Sequence, residues 1–481
     1  MVNNNLKEKA ISGLFWSLLE KFSTQIVAFV VGVILARLLS PADYGLIAMT
    51  AIFVSISQVL VDSGFTSALI QKIDKTDLDY STVFDINVIM SAGLCFLLCL
   101  ISPFVANFYN EPLLKWIVCF CGIKIFFGSF IAVQATRLTA NLQFNARSRI
   151  AIVNSIISGF FAIVMAYSGL GVWSLVVPEF LVIISSAIMY WKCQHWFPGI
   201  KFSKESFREL FSFGSRLLAS SILEIIYGNI YTIVIGKKFS ASQLGIYSKA
   251  QGFANLPVNT ISGVIANVSY PTLSKLQHDD SQLSNAYRKM IRLAAFVVFP
   301  LMICIVVLAK PLIVVLLTEK WMELVEYLQI LCFSLMWYPI HYLNLNLLEV
   351  KGRSDLFLKL QVIKKIIGII ILIVSIPFGL YWMCMGQVFY SVISLFVNTF
   401  YTNRLLKIGF LKQISDITPS FIYSLLMGCF IYLLVCFVNS MYLQLIIGIV
   451  GGGFFYWLLS FFFHSKDLVY LEQIVRDILK K

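Results

Sequence analysis

Charge is scarce in this sequence. Only 13% of its 481 residues are Asp, Glu, Lys or Arg, about half the share of an ordinary soluble chain. With 59% hydrophobic residues and a mean hydropathy of +0.85, a surface of normal polarity cannot be built. A phosphate-cradling G-x-x-x-x-G-K-[ST] loop is also missing, which excludes P-loop hydrolysis of ATP by this chain. There is no C-x-x-C, and nearly all ten cysteines fall inside apolar stretches. The four histidines, His195, His278, His341 and His464, are far apart, so neither a metal centre nor any other cofactor is expected. No basic cluster is interleaved with base-stacking aromatics, which argues against nucleic acid as a partner.

What is there is long apolar runs. A spanning helix needs ~20 such residues. The runs predict helices over 11–36, 46–70, 83–107, 113–133, 149–168, 171–191, 209–236, 245–271, 291–318, 323–347, 357–376, 380–402, 419–438 and 441–463. A membrane β-barrel would instead show alternating segments of ~10 residues. The fold class is therefore an all-α polytopic membrane protein with about fourteen transmembrane helices. The first run follows Lys7 and Lys9 and has no small-residue cleavage site, which predicts a retained helix and not a signal peptide.

Lys and Arg concentrate in alternate loops: Lys72 and Lys75, Arg147 and Arg149, Lys201 and Lys204, Arg288 to Arg292, Lys351 and Arg353, Arg404 and Lys407. The positive-inside rule then places both termini and the longer loops in the cytoplasm. The opposite loops are little more than turns, such as Gly169 to Gly171 and Asn439 to Ser440, and leave no room for an external catalytic domain. That argues against a membrane glycosyltransferase or polymerase. Asp77-Leu78-Asp79 has the D-x-D spacing of some sugar-nucleotide sites, but its short basic loop reads as a solvated turn.

The sequence repeats itself. Ser40-Pro41-Ala42-Asp43-Tyr44-Gly45 lines up with Ser240-Ala241-Ser242-Gln243-Leu244-Gly245, and Ala146-Arg147-Ser148 with Gly352-Arg353-Ser354. Spans 1–6 thus recur as spans 7–12, giving two parallel six-helix lobes related by an axis along the membrane normal. The predicted division is a lobe over 1–200, a second over 201–415 that opens with an interfacial linker helix at 201–214, and two extra C-terminal helices with an amphipathic cytoplasmic tail over 416–481. The linker pattern is Phe202, Phe207, Leu210 and Phe211, and the tail pattern is Leu468, Leu471, Val475 and Ile478.

Polar groups inside a bilayer face water or protein. Span 1 carries Lys21 and Gln25 at helical spacing, flanked by Glu20. Span 2 carries Gln58 and Asp62, and span 7 carries Arg216 and Glu224. Span 8 carries Lys249, Asn255 and Asn259 around Pro257. These stripes predict a hydrated cationic cavity in which Lys21, Arg216 and Lys249 meet an anionic cargo. Gln25, Gln58, Asn255 and Asn259 would line it, and Glu20, Asp62 and Glu224 are candidates for ion coupling. Lys124 in span 4 is a further cation candidate. The structural alternatives pair Glu20 with Arg216, Asp62 with Lys21 or Lys249, and Lys124 with Asp85. Lys364 and Lys365, near a helix end, are expected to snorkel.

Leu35-Ala36-Arg37-Leu38-Leu39-Ser40-Pro41-Ala42-Asp43-Tyr44-Gly45, Asp62-Ser63-Gly64-Phe65-Thr66-Ser67-Ala68-Leu69-Ile70-Gln71, and Gly169-Leu170-Gly171-Val172-Trp173-Ser174 strongly resemble the polysaccharide-exporter branch of the MOP flippase superfamily. O-antigen, colanic acid and teichuronic acid exporters typify that branch. The resemblance covers roughly residues 5 to 415 and is most specific in the first 190. It implies two lobes that expose a cavity to each side in turn, in a bacterial cytoplasmic membrane. The implied cargo is an undecaprenyl-diphosphate-linked oligosaccharide carried from the cytoplasmic to the outer leaflet for surface polysaccharide, such as lipopolysaccharide O-antigen. Membrane lipid, a polysaccharide polymerase and chain-length machinery are the implied partners. An inside-negative potential of about 100 mV favours export of a doubly charged diphosphate by about 4 to 5 kcal/mol. The alternative within the superfamily is a cation-coupled small-molecule or multidrug exporter, whose cavity should be acidic.

Overall fold

In a computed structural model the described residues are all but 1, 63–64, 66–67, 70–71, 73, 195, 200–202, 205–207, 209–217, 219, 464, 466, 471–472, 474–475 and 477–481. The linker pattern at 201–214 therefore lies largely outside them. The described residues are almost wholly helical and contain no strand. In chain order the helices are α1 (Val2–Leu38), α2 (Pro41–Asp62), α3 (Asp77–Tyr109), α4 (Leu114–Ala140), α5 (Phe144–Tyr167), α6 (Trp173–Gln194), α7 (Ile230–Lys238) and α8 (Ala241–Lys275). They continue as α9 (Asp280–Val307), α10 (Ala309–Leu317), α11 (Leu324–Leu335), α12 (Tyr338–Val350), α13 (Ser354–Ser375), α14 (Leu380–Leu406), α15 (Phe410–Cys436) and α16 (Met441–Phe462).

Ten described helices are long and apolar enough to cross a membrane. The remaining expected spans are 209–236, whose residues 209–217 and 219 lie outside the described ones, the polar helix α8, the broken α11–α12 pair and the charged α13. Large apolar side chains such as Phe96, Phe104, Phe160, Ile370 and Val450 point outward, as a hydrocarbon solvent permits.

Two expected helices are interrupted by proline. The predicted helix at 291–318 is divided at Leu308, because Pro311 supplies no N–H and its ring crowds the carbonyl of Val307. The predicted helix at 323–347 ends at Leu335 and restarts at Tyr338, with Pro339 in its first turn doing the same to Leu335. The helix predicted from 419 begins instead at Phe410, so Pro419 lies inside it.

The chain divides into two units, Met1–Gly245 and Ile246–Lys481. In the first, α3 and α4 form a long hairpin, α1 packs along α5, and α6 is wedged between α4 and α5. In the second, α9 packs on α15, α15 on α16, and α14 against α11, α12 and α13.

The repeat is a pair of capping boxes. At the start of α2, Ser40 N–H donates to Asp43 Oδ2 (2.9 Å) and Asp43 N–H to Ser40 Oγ (3.3 Å). At the start of α8, Ser240 N–H faces Gln243 Oε1 (3.5 Å) and Gln243 N–H donates to Ser240 Oγ (3.2 Å). Each box satisfies amides that the first turn leaves without partners. Five residues after each serine stands a glycine, and these two helix starts pack together in the first unit.

Candidate functional site

In the first unit a polar site opens between α1, α4, α5 and α6. Lys124, in the middle of α4, forms an ion pair with Glu179, which follows Pro178 in α6. Lys124 and Glu179 line two cavities at once. The larger, about 550 Å³, is walled by Ala28 of α1, by Asn154, Ser155 and Ser158 of α5, and by Tyr190 of α6. The smaller, about 220 Å³, reaches Thr50 and Ser55 of α2 and Cys121 of α4. Asn154 is fixed on the far wall: its Nδ2 donates to Ser186 Oγ and its Oδ1 accepts from Ser185 Oγ, both at 2.6 Å. Chemically this is a charge pair with hydroxyls and an amide at membrane depth, a place where an ion or a polar head can exchange partners.

Lys124 therefore has Glu179, and not Asp85, as its partner. Glu20 accepts from Ser148 Oγ (2.9 Å), tying α1 to α5. Lys21 and Gln25 are exposed on α1 and Gln58 on α2, while Asp62 is half-buried at the end of α2. Glu224 is exposed ahead of α7, and Arg216 lies outside the described residues. In the second unit, Lys249 and Asn255 are half-buried on α8 and Asn259 is exposed.

Two other sequence readings change. Asp77 and Asp79 lie not in a turn but at the start of α3: the buried Asp79 forms a capping box with Thr76 and pairs with Lys72 at 3.1 Å, and the solvent-exposed Asp77 pairs with Arg137 at 3.0 Å. Arg137 in turn covers the rings of Tyr80 and Trp196. Lys364 does not snorkel, since it is buried in the second unit at 6% exposure.

Sequence reasoning missed Glu179, Asn154 and the cluster around His341. His341 Nε2 meets Ser391 Oγ (3.1 Å) and its Nδ1 meets Asn398 Nδ2 (3.3 Å), while Ser391 Oγ donates to the Ser334 carbonyl (2.9 Å). That carbonyl lies in α11, beside the break before α12. Glu179 carried a usable signal, being a carboxylate inside an apolar span two spans after Lys124. His341 carried none, because nothing local tells a buried histidine from a surface one.

A bundle of long apolar helices with charged and amide groups inside each unit defines a class, the multi-pass α-helical membrane proteins. The solved structure of the lipid II flippase MurJ, in an inward closed conformation, superposes with a TM-score of 0.75 at 16% identity, covering 95% of this chain and 100% of that one. An inward-facing multidrug resistance MATE family transporter of the MOP superfamily gives 0.60 at 13% identity, covering 80% and 96%. Residues 34–326 match the family described as polysaccharide biosynthesis protein, and the chain belongs to that family. Among curated relatives, the teichuronic acid biosynthesis protein TuaB of Bacillus subtilis (strain 168) is 26% identical over 354 residues, 73% of either chain.

Proposed function

We propose that this protein is a flippase that moves undecaprenyl-diphosphate-linked oligosaccharide from the cytoplasmic to the outer leaflet by alternating access, for surface polysaccharide synthesis. The observation that carries the reading is the polysaccharide biosynthesis family match over 34–326 in a chain built of membrane helices. A multi-pass protein of that family has a lipid-linked intermediate to handle at the membrane, and the relative TuaB is named for teichuronic acid synthesis.

In this reading the working parts are the lobes 1–200 and 201–415, with 416–481 appended and both termini cytoplasmic. Lys21, Arg216 and Lys249 receive the diphosphate, and Gln25, Gln58, Asn255 and Asn259 contact the sugar. Lys124 joins them when Glu179 releases it, and Glu20, Asp62 or Glu224 carries a coupling ion. A polymerase and chain-length machinery take the product on the outer face.

The test is transport itself. Purified protein in liposomes loaded with fluorescent undecaprenyl-diphosphate oligosaccharide should bring label to the opposite leaflet, faster with the potential directed to favour exit of the anion. No movement under a potential, a proton gradient or a sodium gradient would overturn the reading in favour of small-molecule export.

A further inference from the structure

The start of α9 carries three cations within five residues, Arg288, Lys289 and Arg292, and the C-terminal segment is folded over them. Two of them are committed. Arg288 holds Asp416 of α15 through two hydrogen bonds of 2.7 and 2.6 Å. Arg292 lies 3.9 Å from the same carboxylate and 3.2 Å from Asp467. Lys289 is different: its ammonium sits 3.1 Å from the ring centroid of Tyr470, and no carboxylate pairs with it among the described residues. Around these side chains lies a cavity of about 370 Å³ whose wall also includes Asn285 and Gln473, with Asp467 as its one acidic member among the described residues. Asp467 is already answered by Arg292, so among the described residues the positive charge of Lys289 is left over.

A second cavity begins on the neighbouring face of the same helix. It is an apolar groove of about 350 Å³ between α8 and α9, lined by Ile261, Val264 and Val268 on one side and Leu293 and Val297 on the other. Val264 and Val268 are 62% and 56% exposed in it. Lys289, Leu293 and Val297 succeed one another at steps of four, so they form a single ridge leading from the cationic pocket into the groove. Charge at one end and an open apolar channel running deeper is the outline of an anionic lipid.

We propose that this pocket and groove bind an anionic glycerophospholipid, its phosphate on Lys289 and the outer edge of Arg292, and one acyl chain along α8 and α9. Basic pockets beside membrane helices recognise such head groups by charge, and the groove adds a requirement for the chain. The site is independent of the transport reading, since it is argued from a cavity none of the proposed cargo residues lines.

The experiment uses the full-length purified protein in detergent and follows its melting temperature against added dioleoylphosphatidylglycerol, dioleoylphosphatidylcholine, glycerol phosphate and inorganic phosphate. Saturable stabilisation by phosphatidylglycerol alone is expected. Lys289→Gln should weaken its apparent affinity about five-fold, the effect of removing one surface cation near a lipid phosphate, while Lys412→Gln on an exposed turn of α15 leaves it unchanged. Gln473→Glu, an exposed position that tolerates change, should weaken it in the same direction and covers the case in which Lys289→Gln fails to fold. Equal stabilisation by phosphatidylcholine, or equal affinity in both pocket variants, would overturn the site. Binding of glycerol phosphate or inorganic phosphate as tightly as the lipid would overturn the lipid in favour of a soluble anion.

Discussion

Gly45 and Gly245, equivalent residues of the internal repeat, lie at a crossing so close that a Cβ on either would stand 1.8 Å from a backbone oxygen of the other helix. For Gly45 that oxygen belongs to Ala241, and for Gly245 to Pro41. The contact is reciprocal, as two copies of one motif meeting across a local two-fold must make it. Each capping box sets the entry of its helix so that the glycine arrives at the crossing.

Adding a methyl group here must part the helices. Gly45→Ala or Gly245→Ala is expected to destabilise the crossing by about 1–3 kcal/mol, the usual cost of overpacking a tight contact. The measurement is the melting temperature of the purified protein in detergent, which should fall in either variant relative to the parent. An unchanged melting temperature would mean that the crossing accommodates a methyl group without cost.

Lys124 and Glu179 should be coupled. Lys124→Met or Glu179→Met alone strands a charge at membrane depth and is expected to cost about 1 to 3 kcal/mol, between the values for exposed and buried pairs. Each group is partly open to a cavity, which is why the upper range does not apply. Lys124→Met with Glu179→Met should recover most of the lost thermal stability, as measured by a double-mutant cycle in detergent. If transport fails in the double variant although stability returns, the pair has a role in the cycle beyond packing.

The cargo assignment makes its own prediction. Lys21→Ala, Arg216→Ala and Lys249→Ala should each lower flipping of the diphosphate-linked sugar at least about tenfold, equivalent to ~1.4 kcal/mol, with membrane insertion unaffected. Export at the parental rate in all three would sink it.

The start of α9 should be sensitive to acid. Asp279 caps it, accepting from the amides of Ser281 and Gln282 at 3.0 Å, and the Gln282 amide leads the interactions that lower its carboxyl below the usual 3.8. A lowered folded pKa means that the stabilisation is complete above the unfolded value and lost as pH falls through the folded one. The melting difference between the parent and Asp279→Asn should therefore be constant near neutrality and close only below about pH 4. A difference that shrinks between pH 8 and 6 would contradict this assignment.

Hydropathy made the membrane class legible, because in hydrocarbon the backbone must be satisfied within each segment and the apolar run is itself the signal. The repeat was legible as well, and Ser40, Asp43 and Gly45 with Ser240, Gln243 and Gly245 show why: capping is local, so the residues that perform it are neighbours in sequence. Breaks at Leu308 and at Met336 were marked by Pro311 and Pro339, but a continuous apolar pattern concealed them.

Partnership was not legible. Lys124 had Asp85 as a plausible neighbour and is held by Glu179, and Lys364 had the composition of a snorkelling lysine and is buried. Periodicity tells which face of a helix is polar; the rotation and depth of the facing helix decide which charges meet. The sequence by itself thus determined a family, its membrane class and most of its helices. The tertiary structure alone decided the cavity shared by Lys124 and Glu179, the cluster around His341 and the pocket beneath Tyr470, because each is built from side chains that only packing brings within a few ångströms.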